Sequence, residues 1–262
     1  MTTWVLLRGL ARDSRHWGDF PQRLAAAQGA STQVLTPDLP GNGLLRNARS
    51  PCSVAGMVAA LRDGLAREGV LARGPVHLLG LSMGSMVAIE WARRHPGELA
   101  SAVLVNGSAR GLGPPWARLR AAAWPVLARA AWPGTSPAQR ERLVLSVCSS
   151  RPHDPHALAA WTRIAQAGVT RPSNALRQLL AAAGWRLPPA PPPVPLLVVA
   201  CAQDALVAPS CSVRLAQAWG LPLALHPTAG HELALDDAAW LAERCSAWAA
   251  GAPAPAEGDL RP

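Results

Sequence analysis

Short apolar runs that alternate with helical segments most limit how this chain can fold. The runs lie at residues 4–7, 33–36, 76–79, 102–105, 194–200 and 223–225, and helical spacing follows at 54–66, 83–94, 210–219 and 237–249. Strands that are apolar without alternation are buried on both faces, as in a parallel sheet covered by helices. The sequence therefore predicts an α/β fold with a mostly parallel sheet and helices on both faces.

Residues 108–193 interrupt this alternation. A connection within such a fold normally takes roughly 2 to 6 residues, whereas this one spans 86. We therefore predict that residues 108–193 form a helical cap, inserted into a core made of residues 1–107 and 194–250. The Pro- and Ala-rich tail, residues 251–262, is predicted to be disordered.

The sequence Gly80-Leu81-Ser82-Met83-Gly84 lies between a strand and a helix of this pattern. A serine between two glycines at such a turn is typical of a nucleophile elbow, which lifts the hydroxyl out of the sheet. The bare pattern arises by chance in roughly one sequence of this composition in ten, so the flanking strand and helix make it specific. Ser82 is the predicted nucleophile.

A serine hydroxyl needs a base that takes its proton and an acid that orients the base. With an elbow of this kind, the acid and then the histidine follow the serine along the chain. Asp204 follows a late strand, and two histidines come after it. His226 ends a short strand and is assigned a structural role, whereas His231 lies in a loop beside Gly230. The predicted catalytic triad is Ser82, Asp204 and His231.

These motifs resemble the α/β-hydrolase superfamily over residues 4–248. The matching stretches are Gly9, residues 38–43, the elbow, Gln203-Asp204 and Gly230-His231. The compact size and single cap are similar to carboxylesterases that demethylate pimeloyl-carrier-protein esters, and to related small esterases and C–C bond hydrolases. The resemblance implies an α/β-hydrolase fold and cleavage of a small carboxylic ester through an acyl-enzyme, with no metal or organic cofactor.

One motif departs from the family pattern. The family usually has His-Gly after its first core strand, and this chain has Arg8-Gly9. The resemblance implies that the backbone N–H groups of Leu10 and Met83 form the oxyanion hole, a role that requires no particular side chain. Asp38 is expected to pair with an arginine, and Arg8 is the candidate.

Residues near the oxyanion loop and in the cap are candidates for binding substrate. Trp17 either lines the pocket or takes part in helix packing. Its neighbour His16 is expected at the surface. The cap tryptophans are expected mainly to form the core of the cap. Trp116 and Trp124, nearest its hinge, are predicted to line an apolar acyl channel.

The net positive charge of the chain is confined to the cap. All 25 basic residues are arginine; the cap has eleven of them and two acids, and the rest of the chain has fourteen of each, so the formal net charge of +9 belongs to the cap. A GC-rich genome accumulates arginine without any function. The alternative is an acidic partner such as an acyl carrier protein, or an anionic substrate, docked by Arg140, Arg142 and Arg151.

Several other classes of function have no support in the sequence. There is no aromatic-basic platform or recognition helix, so no nucleic-acid partner is expected. The sequence has no apolar run of membrane-spanning length and no secretory signal, so we expect a cytoplasmic protein without a membrane partner. Its five scattered cysteines indicate neither a disulfide framework nor a zinc site.

Two alternatives to an esterase stay open. A thioesterase, lactonase, C–C bond hydrolase or perhydrolase would use the same triad. A non-catalytic binding protein could retain the fold, although the complete triad argues against it. Serine at the elbow argues against haloalkane dehalogenases and epoxide hydrolases, which resemble this chain but have aspartate there.

Overall fold

The six apolar runs form one parallel sheet. The computed structural model describes residues 2–29 and 31–251. Within these ranges the strands are β1 (Thr2–Leu7), β2 (Thr32–Leu35), β3 (Val76–Leu81), β4 (Leu99–Val105), β5 (Leu196–Cys201) and β6 (Leu223–His226). Neighbouring strands are all parallel, and their order is β2-β1-β3-β4-β5-β6. The predicted parallel sheet is confirmed.

Helices cover both faces of the sheet. In the described ranges they are α1 (Phe20–Gln28), α2 (Val54–Arg67), α3 (Met83–Arg94), α4 (Pro115–Arg118), α5 (Trp124–Ala130), α6 (Pro137–Cys148), α7 (Pro155–Gln166), α8 (Pro172–Gly184), α9 (Pro209–Trp219), α10 (Leu233–Asp236) and α11 (Ala238–Ala249). Leu78 packs in a core cluster with α2, α3 and α9, whereas its neighbour Leu79 packs in a second cluster with α1 and α11. Burial on both faces explains why the strands are continuously apolar.

Helices α4 to α8 all lie between β4 and β5. Helices α5, α6 and α7 pack around a small core that includes Trp161. Trp185 packs against the main core, but Trp116, Trp124 and Trp132 are exposed. The expectation that the cap tryptophans mainly form its core is therefore wrong for these three, since a few short helices enclose little interior.

The carboxyl ends of the strands meet at one edge of the sheet, where ligands bind in open α/β sheets. Strand β2 lies on one side of β1, and β3 to β6 follow in turn on its other side. The strand order therefore changes direction between β1 and β3. Leu10 follows β1 and Ser82 follows β3, so this change of direction positions the candidate site.

No helix among the described residues has the length and apolarity needed to cross a bilayer. The predicted disordered tail, residues 251–262, lies outside the described residues except for Gly251.

Candidate active site

Ser82 occupies the sharp turn between β3 and α3. Its backbone has φ 59° and ψ −119°, a strained conformation for a residue with a side chain. A Cβ atom at Gly84 would overlap the carbonyl oxygen of Leu7, and one at Gly80 would overlap that of Gly84. Both flanking glycines are thus required by close backbone contacts, and the turn has the geometry of a nucleophile elbow.

Asp204 and His231 form a buried hydrogen-bonded pair. Nδ1 of His231 lies 2.7 Å from Oδ2 of Asp204. The other carboxylate oxygen, Oδ1, accepts hydrogen bonds from the backbone N–H groups of Leu206 and Val207, both at 2.8 Å. The carboxylate is therefore held from both sides, with one oxygen left to orient the imidazole.

The surroundings of His231 set its protonation. Burial is the largest single effect and disfavours the imidazolium, but the charge and the hydrogen bond of Asp204, together with the charge of Glu232, the next residue, raise the pKa of His231 above its ordinary value. A base with a raised pKa accepts the serine proton more readily.

The serine and the histidine lie at the same sheet edge but are not hydrogen-bonded. In the described ranges no hydrogen bond joins the Ser82 hydroxyl to His231, and the Ser82 side chain is partly exposed. Catalytic hydrogen bonds of this kind often tighten only when substrate binds. The structure therefore contains the orienting half of the triad in its bonded form.

Asn106 fixes the loop that carries His231. It follows β4 directly with a positive φ of 49°. Its amide donates to the carbonyl oxygen of His231 at 3.0 Å and accepts from the N–H of Cys201, the last residue of β5, at 2.9 Å. This side chain, which the sequence analysis missed, joins the ends of two strands to the histidine loop.

The loop after β1 approaches the serine closely. A Cβ atom at Gly9 would lie 3.1 Å from Cβ of Ser82 and 3.6 Å from its Oγ. The N–H groups of Leu10 and Met83, the predicted oxyanion donors, make no hydrogen bond within residues 2–29 and 31–251. Both donors are therefore free to bind an oxyanion.

Arg8 pairs with Glu232, and the expected pair with Asp38 is wrong. Nη2 of Arg8 lies 2.6 and 2.8 Å from the two oxygens of Glu232, with the two side chains 2% and 3% exposed. Asp38 instead accepts hydrogen bonds from the N–H groups of Ser14 and Leu44, at 2.7 and 2.8 Å. Its carboxylate therefore closes its own turn at Leu44 and ties that turn to the loop after β1 at Ser14.

The comparisons with known proteins agree with this fold. A model of the α/β-hydrolase family matches residues 4–244. The chain belongs to the α/β-hydrolase family. No curated protein sequence matches this α/β hydrolase.

Solved structures share its fold. It resembles an esterase from Thermogutta terrifontis at 21% identity over 96% of this chain and 90% of that one, with a TM-score of 0.73. An esterase from Rhodococcus sp. is 24% identical over 96% and 91%, with a TM-score of 0.73. An enol-lactonase from Burkholderia xenovorans is 22% identical over 95% and 89%, with a TM-score of 0.68. At these identities the likeness concerns the fold alone.

The predicted substrate-binding tryptophans differ from one another in placement. Trp17 is buried, with its ring 5.6 Å from that of Phe20 and the Arg8 guanidinium 4.6 Å over it. Its edge also borders a cleft of about 420 Å³ between core and cap. Trp116 and Trp124 are largely exposed, so neither forms the wall of an enclosed apolar channel.

His16 is not at the surface, where it was expected. The hydrolase buries it between Asp13 and Arg12, and its ring lies edge-on to Trp161 at 5.8 Å. Burial, followed by the positive charge of Arg12, lowers the pKa of His16. The sequence did not predict this burial because the side chains that enclose His16 come from both the core and the cap.

The three predicted docking arginines are also in different surroundings. Arg140 donates to the carbonyl oxygen of Ala130 at 3.0 Å. Arg151 pairs with Asp154 at 3.4 Å and donates to the carbonyl of Leu235. Arg142 is exposed. Two of the three side chains therefore already have partners within the chain.

The described residues contain no group of three or more histidine, cysteine, aspartate or glutamate side chains that could hold a metal ion.

Proposed function

We propose that this α/β hydrolase cleaves carboxylic esters through an acyl-enzyme on Ser82. The observation that carries the proposal is the buried Asp204–His231 hydrogen bond at 2.7 Å, at the sheet edge that presents the elbow serine. A serine, a histidine and an acid in these roles perform acyl transfer in several unrelated folds. The esterases and the lactonase of the same fold support this class of reaction.

In the first half of the reaction, Nε2 of His231 takes the proton of Ser82 as Oγ bonds to the ester carbonyl carbon. The negative charge that develops on the carbonyl oxygen is stabilised by the N–H groups of Leu10 and Met83. The imidazolium, held by Asp204, then protonates the leaving alcohol as the carbon–oxygen bond breaks.

In the second half, water attacks the acyl-enzyme while His231 takes its proton. The same N–H groups stabilise the second oxyanion, and the imidazolium returns a proton to Ser82 as the acid leaves. The chain's own residues therefore supply every proton transfer of the cycle.

The kind of ester that we propose as substrate is supported by the family resemblance and by the positive charge of the cap. Compact size and a single cap favour the carboxylesterases that act on pimeloyl-carrier-protein methyl esters, and a basic cap attracts an acidic carrier. Of the three arginines, Arg151 is paired with Asp154, Arg140 keeps its charge because it donates only to a backbone carbonyl, and Arg142 is exposed. A small carboxylic ester, free or carried by an acidic protein, is the substrate class we propose.

The test is hydrolysis of p-nitrophenyl esters of increasing acyl length by the wild type, Ser82→Ala and Ser85→Ala. Ser85 is the matched control, because it lies three residues along the elbow but is buried, and its hydroxyl donates to the carbonyl of Gly80 at 2.7 Å. We expect Ser82→Ala to abolish turnover and Ser85→Ala to retain it. A fluorophosphonate should label Ser82, identified by mass spectrometry of the digested protein.

Turnover that survives Ser82→Ala would refute the acyl-enzyme. A folded wild type that neither hydrolyses any ester nor reacts with fluorophosphonate would instead favour the non-catalytic binding protein. Thioester and lactone substrates, assayed in parallel, separate the esterase from its alternatives on the same triad.

A further inference from the structure

Exposed apolar side chains are concentrated on one part of the molecule. Among the described residues nine large apolar side chains are exposed, and seven of them lie in the cap: Trp116, Trp124, Trp132, Val169, Leu176, Leu179 and Leu180. The other two, Leu44 and Leu45, belong to segment 43–50, which is hydrogen-bonded to α8 through Asn174 and Arg177. Scattered exposed apolar residues are ordinary, so only those that adjoin one another or a groove indicate an interaction surface.

The same part of the molecule carries unneutralised positive charge. Of its two acids, Glu141 is buried against Arg12 at 2.7 Å, and Asp154 caps α7 and pairs with Arg151. Within the described ranges, Arg151 is the one cap arginine that forms a salt bridge. Ten cap arginines are therefore without a carboxylate partner, and the cap presents a cationic surface.

The apolar and cationic features meet in a groove between α5 and α6. Its volume is about 940 Å³, and its lining includes Arg129, Trp132, Arg142 and Leu143 but no acidic residue. The Trp132 side chain is 69% exposed. Trp124, at the start of α5, is also exposed, and its indole N–H donates to the carbonyl of Leu119 at 2.9 Å. We name these five residues the α5–α6 face: Trp124, Arg129, Trp132, Arg142 and Leu143.

We propose that the α5–α6 face docks the protein on an anionic phospholipid bilayer. Tryptophan is favoured at the level of the lipid headgroups, where its ring lies against the acyl chains and its N–H keeps a polar partner. Arginine binds phosphate oxygens through paired N–H groups, and basic side chains near a surface are attracted to anionic lipid. An acidic protein would account for the arginines but leave the exposed indole rings unexplained.

This docking requires no membrane-spanning helix. The expectation of no membrane partner rests on the absence of a spanning segment, whereas a cationic and apolar face binds in the plane of the interface. The inference is independent of the proposed ester hydrolysis, because it concerns binding and is measured without turnover.

The experiment is flotation of the purified full chain with vesicles of phosphatidylcholine, with and without phosphatidylglycerol. We expect binding to the phosphatidylglycerol vesicles, about tenfold weaker binding to phosphatidylcholine alone, and release at high salt. Trp132→Ser and the pair Arg129→Glu with Arg142→Glu should each weaken binding about tenfold.

Two variants serve as matched controls. Leu179→Ser removes an exposed apolar side chain of α8, and the pair Arg163→Glu with Arg186→Glu reverses two exposed charges, as the face variant does; none of these residues belongs to the α5–α6 face. Both should bind like the wild type. Circular dichroism and thermal melting establish that each variant is folded.

Three outcomes overturn the proposal. One is a folded wild type that does not float with anionic vesicles. Another is loss of binding that is equal in the α5–α6 face variants and in the controls, which would indicate attraction by net charge alone. The third is an acidic carrier protein, or a second copy of this chain, that binds the face while vesicles do not.

Discussion

Gln178, on the cap helix α8, accepts a hydrogen bond from the main-chain N–H of Ala11 at 2.9 Å. Ala11 has a positive φ of 55° and directly follows Leu10, whose N–H is the predicted oxyanion donor. The amide of Gln178 also donates to Asn42 at 2.8 Å, and Asn42 in turn donates to the carbonyl of Arg12 at 2.8 Å. A cap side chain and a core side chain therefore hold the oxyanion loop at two successive residues, Ala11 and Arg12.

This relationship predicts that Gln178 positions the oxyanion loop. Gln178→Ala should lower kcat about tenfold with little change in KM, because the Leu10 N–H stabilises charge that develops only in the transition state. The matched control is Asn174→Ala, one helical turn earlier, which loses hydrogen bonds to Ser50 and Ala48 but none to the loop. Kinetics and melting temperature of both variants are compared; an equal loss of kcat in both would reduce Gln178 to a structural residue.

The raised pKa of His231 predicts the acid side of the pH profile. His231 must be neutral to act as base, so kcat/KM falls as pH drops through its pKa, and a raised pKa places this fall above about pH 6.5. Asp204→Asn removes the charge that raises the pKa. The variant should lose about 10⁴-fold in kcat, with the residual activity falling at lower pH. A residual profile with an unchanged acid side would show that Asp204 does not set this pKa.

The buried Arg8–Glu232 pair predicts a stability effect that depends on which partner is lost. Arg8→Met or Glu232→Leu alone leaves an unpaired buried charge and should lower the free energy of unfolding by about 3–5 kcal/mol. The double variant Arg8→Met with Glu232→Leu should recover most of this loss, since an apolar pair avoids the desolvation of both charges. Urea unfolding measures all three; equal destabilisation of the double variant would contradict the argument.

Replacement by alanine should have opposite effects at two glycines, one in the elbow and one in a helix. Gly84→Ala places a Cβ against the carbonyl oxygen of Leu7, so the turn must shift. Both the esterase activity and the melting temperature should therefore fall. Gly64→Ala, near the C-terminal end of α2 with no heavy atom within 4 Å of the new Cβ, should stabilise the protein by up to about 1 kcal/mol. Thermal melting and ester hydrolysis test the two; an active Gly84→Ala would refute the close packing of the elbow.

The sequence was sufficient for those parts of the site that depend on local pattern and chain order. Ser82 is identified by the strand and helix that flank it, and the structure places Asp204 against His231 as that order predicts. Partners far apart along the chain were not predictable: Arg8 lies 224 residues from Glu232, and Ala11 lies 167 residues from Gln178. No local pattern encodes which of several buried polar side chains will meet.

The exposed tryptophans show a different cause of failure. Hydrophobicity predicts burial, but a side chain is buried only where enough neighbouring structure encloses it. The small cap encloses Trp161 and leaves Trp132 in contact with solvent. Composition alone could not distinguish the two.

The cap touches two parts of the candidate active site. Gln178 of α8 and Glu141 of α6 hold the predicted oxyanion loop, and the carbonyl of Cys148, which ends α6, accepts from the N–H of Glu232, beside His231, at 2.7 Å. A chimaera that carries the cap of another family member would replace these contacts together with the substrate pocket. New specificity in this lineage would therefore arise more readily by single substitutions within the cap than by exchange of the whole segment.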